Sequence, residues 1–335
     1  MDRRNFLKIG AAGLTGAMLP FANFCSDTPV YSGWNPDIKG IKRFVSHTGI
    51  KNLDQRTSSS FAGNGKTALL FKYLEQELGT PLVPHHQVIG DCVGQGYGLS
   101  LDVLRATQIH GLGRTEEFKV KASIEAIYAG SRYEIGYLKH GNSRLLIGDG
   151  SWGGYAVEFI NQYGMLPRGI YGDVDLTEYN YRIARLWGRI GVPDSLEPQI
   201  KRHPIRSYAL VKSYKNVRDA IVNGFPVIFC SSVGFNPSCL RHNPGGRDSM
   251  GFLQRCGVWY HCLAAIAVDD GERPGVLLAN SWGPDWLQGG TRHGQPLGSF
   301  WVDARTISTM CSEGDSYAIS NFVGFPSQIL DYSIL

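Results

Sequence analysis

Apolar positions along the chain change their spacing from one stretch to the next, and the changes mark out elements. Leu69, Leu70, Phe71, Leu74 and Leu78 recur at helical spacing with Gly79 behind them, which predicts one helix that stops at the glycine. Residues 80 to 91 carry Pro81, Pro84 and Gly90, so the chain there reads as extended and turning. Leu99, Val103 and Leu104 then support a helix that begins at or near Cys92. Gly94, Gly96 and Gly98 lie inside that helix, each costing roughly 1 kcal/mol relative to alanine. Close packing of another part of the molecule against this face would compensate. Further along, "VWYHCLAAIAV" (258 to 268) and "GVLLANSWG" (275 to 283) read as two strands joined by the turn "DDGERPG".

Composition narrows the class. A chain of 335 residues with 43% apolar side chains can bury a large core, and its length suggests two lobes or domains. The formal net charge is only +4, with no basic run interleaved with aromatics, which argues against nucleic acid as a partner. The stretch "GNGKT" (63 to 67) lacks the glycine that a phosphate-binding loop needs five positions before Gly65, where Ser60 stands.

At the N-terminus Arg3 and Arg4 precede Phe6-Leu7-Lys8 and a weakly apolar stretch from Ile9 to Leu19, too short to span a bilayer. This arrangement resembles a twin-arginine export signal, with a cytosolic amphipathic N-terminus as the plainer alternative. Export implies the periplasm, cell envelope or extracellular space, with membrane contact only through the signal segment. Phe24 before Cys25 argues against a lipid-modified cysteine.

Seven cysteines are too few for a disulfide-dense scaffold, and no C-x2-C pair suggests structural zinc. Cys92 sits at a predicted helix N-terminus, where unpaired N–H groups favour a thiolate. A nucleophilic sulfur also needs a base, and the base needs a third group to hold its ring. His261 near the start of one predicted strand and Asn280 at the end of the next can meet if the strands are antiparallel neighbours. Otherwise Cys92 is one more buried apolar group and His261 a hydrogen-bonded core residue. Cys262 reads as a buried free thiol, while Cys230, Cys239, Cys256 and Cys311 allow one or two disulfides with no pairing specified.

Together these residues resemble the papain-like (C1) cysteine peptidases. The likeness rests on Gln87, "GDC" ending in Cys92, His261-Cys262 and Asn280-Ser281-Trp282-Gly283. It extends to "GSWGGYAVEFINQYGMLPRGIY" (150 to 171), "VRDAIVNGFPVIF" (217 to 229) and "GSFWV" (298 to 302), so it spans about 81 to 320. The resemblance implies an α+β papain-like fold of two lobes, a mainly helical lobe packed on an antiparallel β-barrel-like lobe with the cleft between them. It implies residues 1 to 25 as signal, 26 to 80 as N-terminal extension or short prosegment, 81 to 200 as helical lobe and 201 to 335 as β-rich lobe. Of the two readings for 26 to 80, an extension of the fold is preferred.

By the same resemblance Cys92, His261 and Asn280 are catalytic, Gln87 serves the oxyanion and Trp282 shields the His261–Asn280 contact. Gly153, Gly154 and Tyr260 would bind substrate, and Trp259 with Tyr260 would narrow the pocket. The implied activity is that of a cysteine-type peptidase, an endopeptidase rather than an exopeptidase, acting on protein or peptide through a thiolate–imidazolium pair. No metal or organic cofactor is required, and oligomeric state is left open. Cell-wall peptide hydrolysis, acyl transfer or a catalytically silent binding role use the same fold.

The chain departs from the family pattern in several places. Gln87 stands five positions before Cys92 rather than six, Val93 replaces an aromatic, and Ile89 stands where a half-cystine would be. From Cys92 to His261 there are 169 positions against roughly 130–150 in the family. The excess is expected in an insertion at 173 to 204 and a loop at 236 to 256.

Overall fold

A computed structural model describes residues 32–115, 121–236 and 246–333. The twin-arginine-like segment, Cys25 and Cys239 lie outside the described residues. The β-rich lobe is a seven-stranded antiparallel sheet: β1 (Thr67–Leu69), β2 (Ser207–Leu210), β3 (Val227–Val233), β4 (Val258–Asp269), β5 (Gly275–Ala279), β6 (Ser299–Asp303) and β7 (Ser316–Ser320). The order is β6-β5-β4-β3-β7-β2, and β1 adds to the far end of β4, Thr67 opposite Asp269. From His261 to Val268 every residue of β4 is buried, so this strand runs through the core with both faces covered.

Helices make up the other lobe. They are α1 (Ile38–Thr48), α2 (Leu70–Leu78), α3 (Cys92–Ala106), α4 (Ile124–Gly130), α5 (Gly153–Gln162) and α6 (Tyr181–Ile190). The α2 helix ends at Gly79 with φ 67°, the left-handed turn that favours glycine, as the sequence predicts. Leu69 instead belongs to β1, because its backbone pairs with Ala267.

The glycines of α3 explain how the lobes meet. A Cβ on Gly96 would stand 2.9 Å from the Cys262 sulfur on β4, and one on Gly94 would stand 3.0 Å from the Ile124 carbonyl oxygen on α4. The intrinsic helix cost of these glycines is therefore offset by backbone approach on two sides, the close packing expected above. The insertion at 173 to 204 includes α6, whose Ala184 and Gly188 face α4: Ala184 is buried with Tyr128, and the Gly188 carbonyl accepts from Arg132 Nε at 3.0 Å. Arg132, fully buried, also donates to the carbonyls of Gly148, Gly150 and Leu145, tying α6 to the loop before α5.

Candidate active site

Cys92 is the first residue of α3, preceded by Asp91 at the N-cap. Its sulfur is fully buried beside the N–H groups of Cys262 and Gly33; those donors favour the thiolate, but burial dominates and pushes the thiol well up. The antiparallel pairing of β4 and β5 sets Ala264 opposite Ala279, which closes the 19-residue gap between His261 and Asn280. His261 Nε2 lies 2.7 Å from Asn280 Oδ1, and the same oxygen accepts from the Ser281 N–H at 2.7 Å. Because Oδ1 is the acceptor in both, Nε2 carries the proton and Nδ1 keeps the lone pair of a base. Nδ1 has no hydrogen-bond partner among the described residues. Burial pushes the imidazole down to about 4, so it is neutral near pH 7.

Aromatic rings enclose this pair. Trp282 lies 4.7 Å from the His261 ring and Trp259 lies 5.1 Å from it; the two indoles meet edge to face at 5.1 Å. Trp259 has the larger role than the sequence reading gave it. It stands two positions before His261 on one strand, and period-two alternation puts both side chains on the same face.

Gln87 is held by the strand that carries the Asn-Ser-Trp-Gly motif. Its N–H donates to the Ser281 carbonyl at 2.8 Å, its Nε2 to the Ile89 carbonyl at 3.1 Å, and its Oε1 accepts from the Ser281 hydroxyl. Asp91, also buried, accepts from the Tyr179 hydroxyl at 2.6 Å; burial pushes its carboxyl up to about 7. Tyr179 comes from the insertion, so that segment reaches the residue adjoining Cys92.

Gly153 and Gly154 open α5 and donate their N–H groups, at 2.8 Å each, to the two oxygens of buried Asp315. Ser151 donates its N–H to the Gly33 carbonyl at 2.9 Å, and its carbonyl accepts from the Asn35 N–H at 3.1 Å. The Tyr260 carbonyl accepts from the N–H groups of Gly33 and Trp34, both at 3.1 Å. Residues 33 to 35 thus run between Ser151 and Tyr260, with Gly33 against the Cys92 sulfur. Backbone bonds hold all three residues, and Trp34 adds an indole N–H bond to Asp315 Oδ2 at 2.8 Å.

Cys92, Cys230, Cys262 and Cys311 are buried thiols. Disulfides involving Cys230 or Cys311 are therefore not formed: Cys230 faces Cys262 across β3 and β4, and Cys311 closes a helix inside the core.

The sequence matches no protein-family model and no curated protein. Among solved structures it resembles xylellain, a cysteine protease from Xylella fastidiosa, at 18% identity and a TM-score of 0.55, covering 90% of this chain and 100% of that one. It also resembles the Amb a 11 cysteine protease, a major ragweed pollen allergen, in its proform, at 14% identity and a TM-score of 0.51, covering 87% of this chain and 75% of that one. The fold is the papain-like one, α+β with two lobes.

Proposed function

We propose that the chain is an exported papain-type cysteine peptidase that hydrolyses protein or peptide substrates through Cys92, His261 and Asn280. The observation that carries this reading is the bond from His261 Nε2 to Asn280 Oδ1, which leaves Nδ1 as the basic nitrogen; Cys92, at the N-terminus of α3, is the proposed nucleophile. In the proposed cycle the Cys92 thiol proton passes to His261 Nδ1 as sulfur attacks the peptide carbonyl. The Cys92 N–H and the Gln87 amide stabilise the oxyanion, and Ser281 holds Gln87 in position. His261 then gives its proton to the leaving amine, and water releases the acyl group from sulfur.

With residues 33 to 35 over Cys92, burial favours the neutral thiol and neutral imidazole. The thiolate–imidazolium pair belongs to a form in which this segment has moved and water has entered. We read residues 26 to 80 as an extension of the fold whose first described turn covers the cleft. Export rests on the paired arginines of the N-terminus.

The test sets denatured protein and purified peptidoglycan side by side as substrates for the purified exported protein, Gly33→Ala, and Cys92→Ala. Protein cleavage lost in Cys92→Ala is expected. Inactivity of Gly33→Ala on protein, with Cys92 unlabelled by an epoxide thiol trap, sinks the reading; cleavage of peptidoglycan alone moves the substrate class to cell-wall peptides.

A further inference from the structure

Two adjoining cavities lie at the end of α3 remote from Cys92. One, of about 320 Å³, is lined by Arg105, Arg114, Arg202 and Arg206 among others; the second, of about 430 Å³, is lined by Lys51, Arg56 and the same Arg206. At about 1.5 Å per residue, the 15 residues of α3 set this region roughly 20 Å from the nucleophile. Among the described residues no aspartate or glutamate lines either cavity. Asp54, two positions before Arg56, accepts instead from Lys215 and Asn216, and Glu158 from Lys139 and His140. Arg105 is paired with Asp102, whereas Lys51, Arg56, Arg114, Arg202 and Arg206 are exposed and make no ion pair among the described residues.

A cleft lined by one sign of charge focuses its field and gathers counter-ions. Neighbouring guanidinium groups repel one another, and an anion that neutralises several at once relieves that repulsion. A carboxylate has two oxygens, which one guanidinium fork takes up; a phosphate group offers more and can be shared by two forks. We propose that the two cavities form one site for a linear chain of phosphate groups, served at one end by Arg114 and Arg202, at the other by Lys51 and Arg56, and by Arg206 in both. Phe322, the aromatic side chain of the first cavity, already carries the Arg114 guanidinium 5.5 Å from its ring centroid, so a nucleic-acid base would have to displace it to stack there. A bare phosphate chain needs no such platform. The site lies apart from Cys92, His261 and Asn280, and it does not rest on the peptidase reading.

The test uses the full chain, which keeps Glu116 and Glu117, two acids outside the described residues. In titration calorimetry at low salt, tripolyphosphate is expected to bind about tenfold or more tightly than inorganic phosphate, because it engages both cavities at once. Arg206→Gln is expected to weaken tripolyphosphate about tenfold, Arg202→Gln and Arg56→Gln severalfold each, and Arg182→Gln on α6, which lines neither cavity, not at all. Each of these side chains is exposed, so the variants are expected to fold. Bound tripolyphosphate is also expected to protect Lys51 from acetylation, read by mass spectrometry. Equal affinity for phosphate and tripolyphosphate, unchanged binding in Arg206→Gln, or full acetylation of Lys51 at saturation overturns the proposal. Tighter binding of a single-stranded oligothymidylate of the same charge overturns it in favour of nucleic acid.

Discussion

Gly33 rests on the Cys92 sulfur. A Cβ added to it would stand 2.9 Å from that sulfur and 2.3 Å from the Gly90 carbonyl oxygen, closer than real Cβ atoms approach backbone. Gly33→Ala is therefore expected to lift the covering segment. Alkylation of Cys92 by iodoacetamide, followed by mass spectrometry, is expected to run at least tenfold faster than in wild type, and an equal rate would mean that the segment does not govern access.

Asn280 fixes the imidazole through one hydrogen bond. Asn280→Ala removes the group that keeps the proton on Nε2, so kcat is expected to fall on the order of 10²-fold with little change in KM. Steady-state kinetics on a peptide cleaved by the uncovered enzyme checks this.

Trp282 and Trp259 keep water from the His261–Asn280 bond. Trp282→Ala is expected to lower stability by about 3 kcal/mol and to reduce kcat, because a hydrogen bond open to water orients the ring less well. Denaturant unfolding and kinetics on one preparation separate the two effects. Trp259→Ala is expected to behave alike.

Asp91 supplies a pH signature. Its carboxyl sits at about 7 in the folded chain against an ordinary 3.8, because burial outweighs the Tyr179 and Gln95 donors. Folding thus favours the protonated form, and the stability that this group contributes is full below about 3.8 and lost as pH rises through about 7. Asp91→Asn does not titrate. Its stability relative to wild type is expected to rise between pH 4 and pH 8, by a few kcal/mol, in urea unfolding at each pH.

Much of this site was legible in the sequence where a local pattern carries it. The two strands and their turn place His261 near Asn280 because register follows from the hairpin. The start of α3 at Cys92 follows from Gly90 before it and helical spacing after it. Gly153 and Gly154 were legible as a glycine pair entering a helix, but their bonds to Asp315, over 160 positions away in sequence, were not. The cover at 33 to 35 left no signal, since backbone pairing with Ser151 and Tyr260 asks little of side-chain type. Its one distinctive residue, Trp34, gains meaning only beside Asp315.

The short strand β1 has a bearing on how much of the N-terminal region is dispensable. Thr67 to Leu69 are stitched to the distal half of the same strand that bears His261. Removing the chain up to that point would expose an unpaired edge and unseat α2 behind it. The chain from Thr67 onward is thus built into the sheet, and a cut that removed β1 is expected to cost stability.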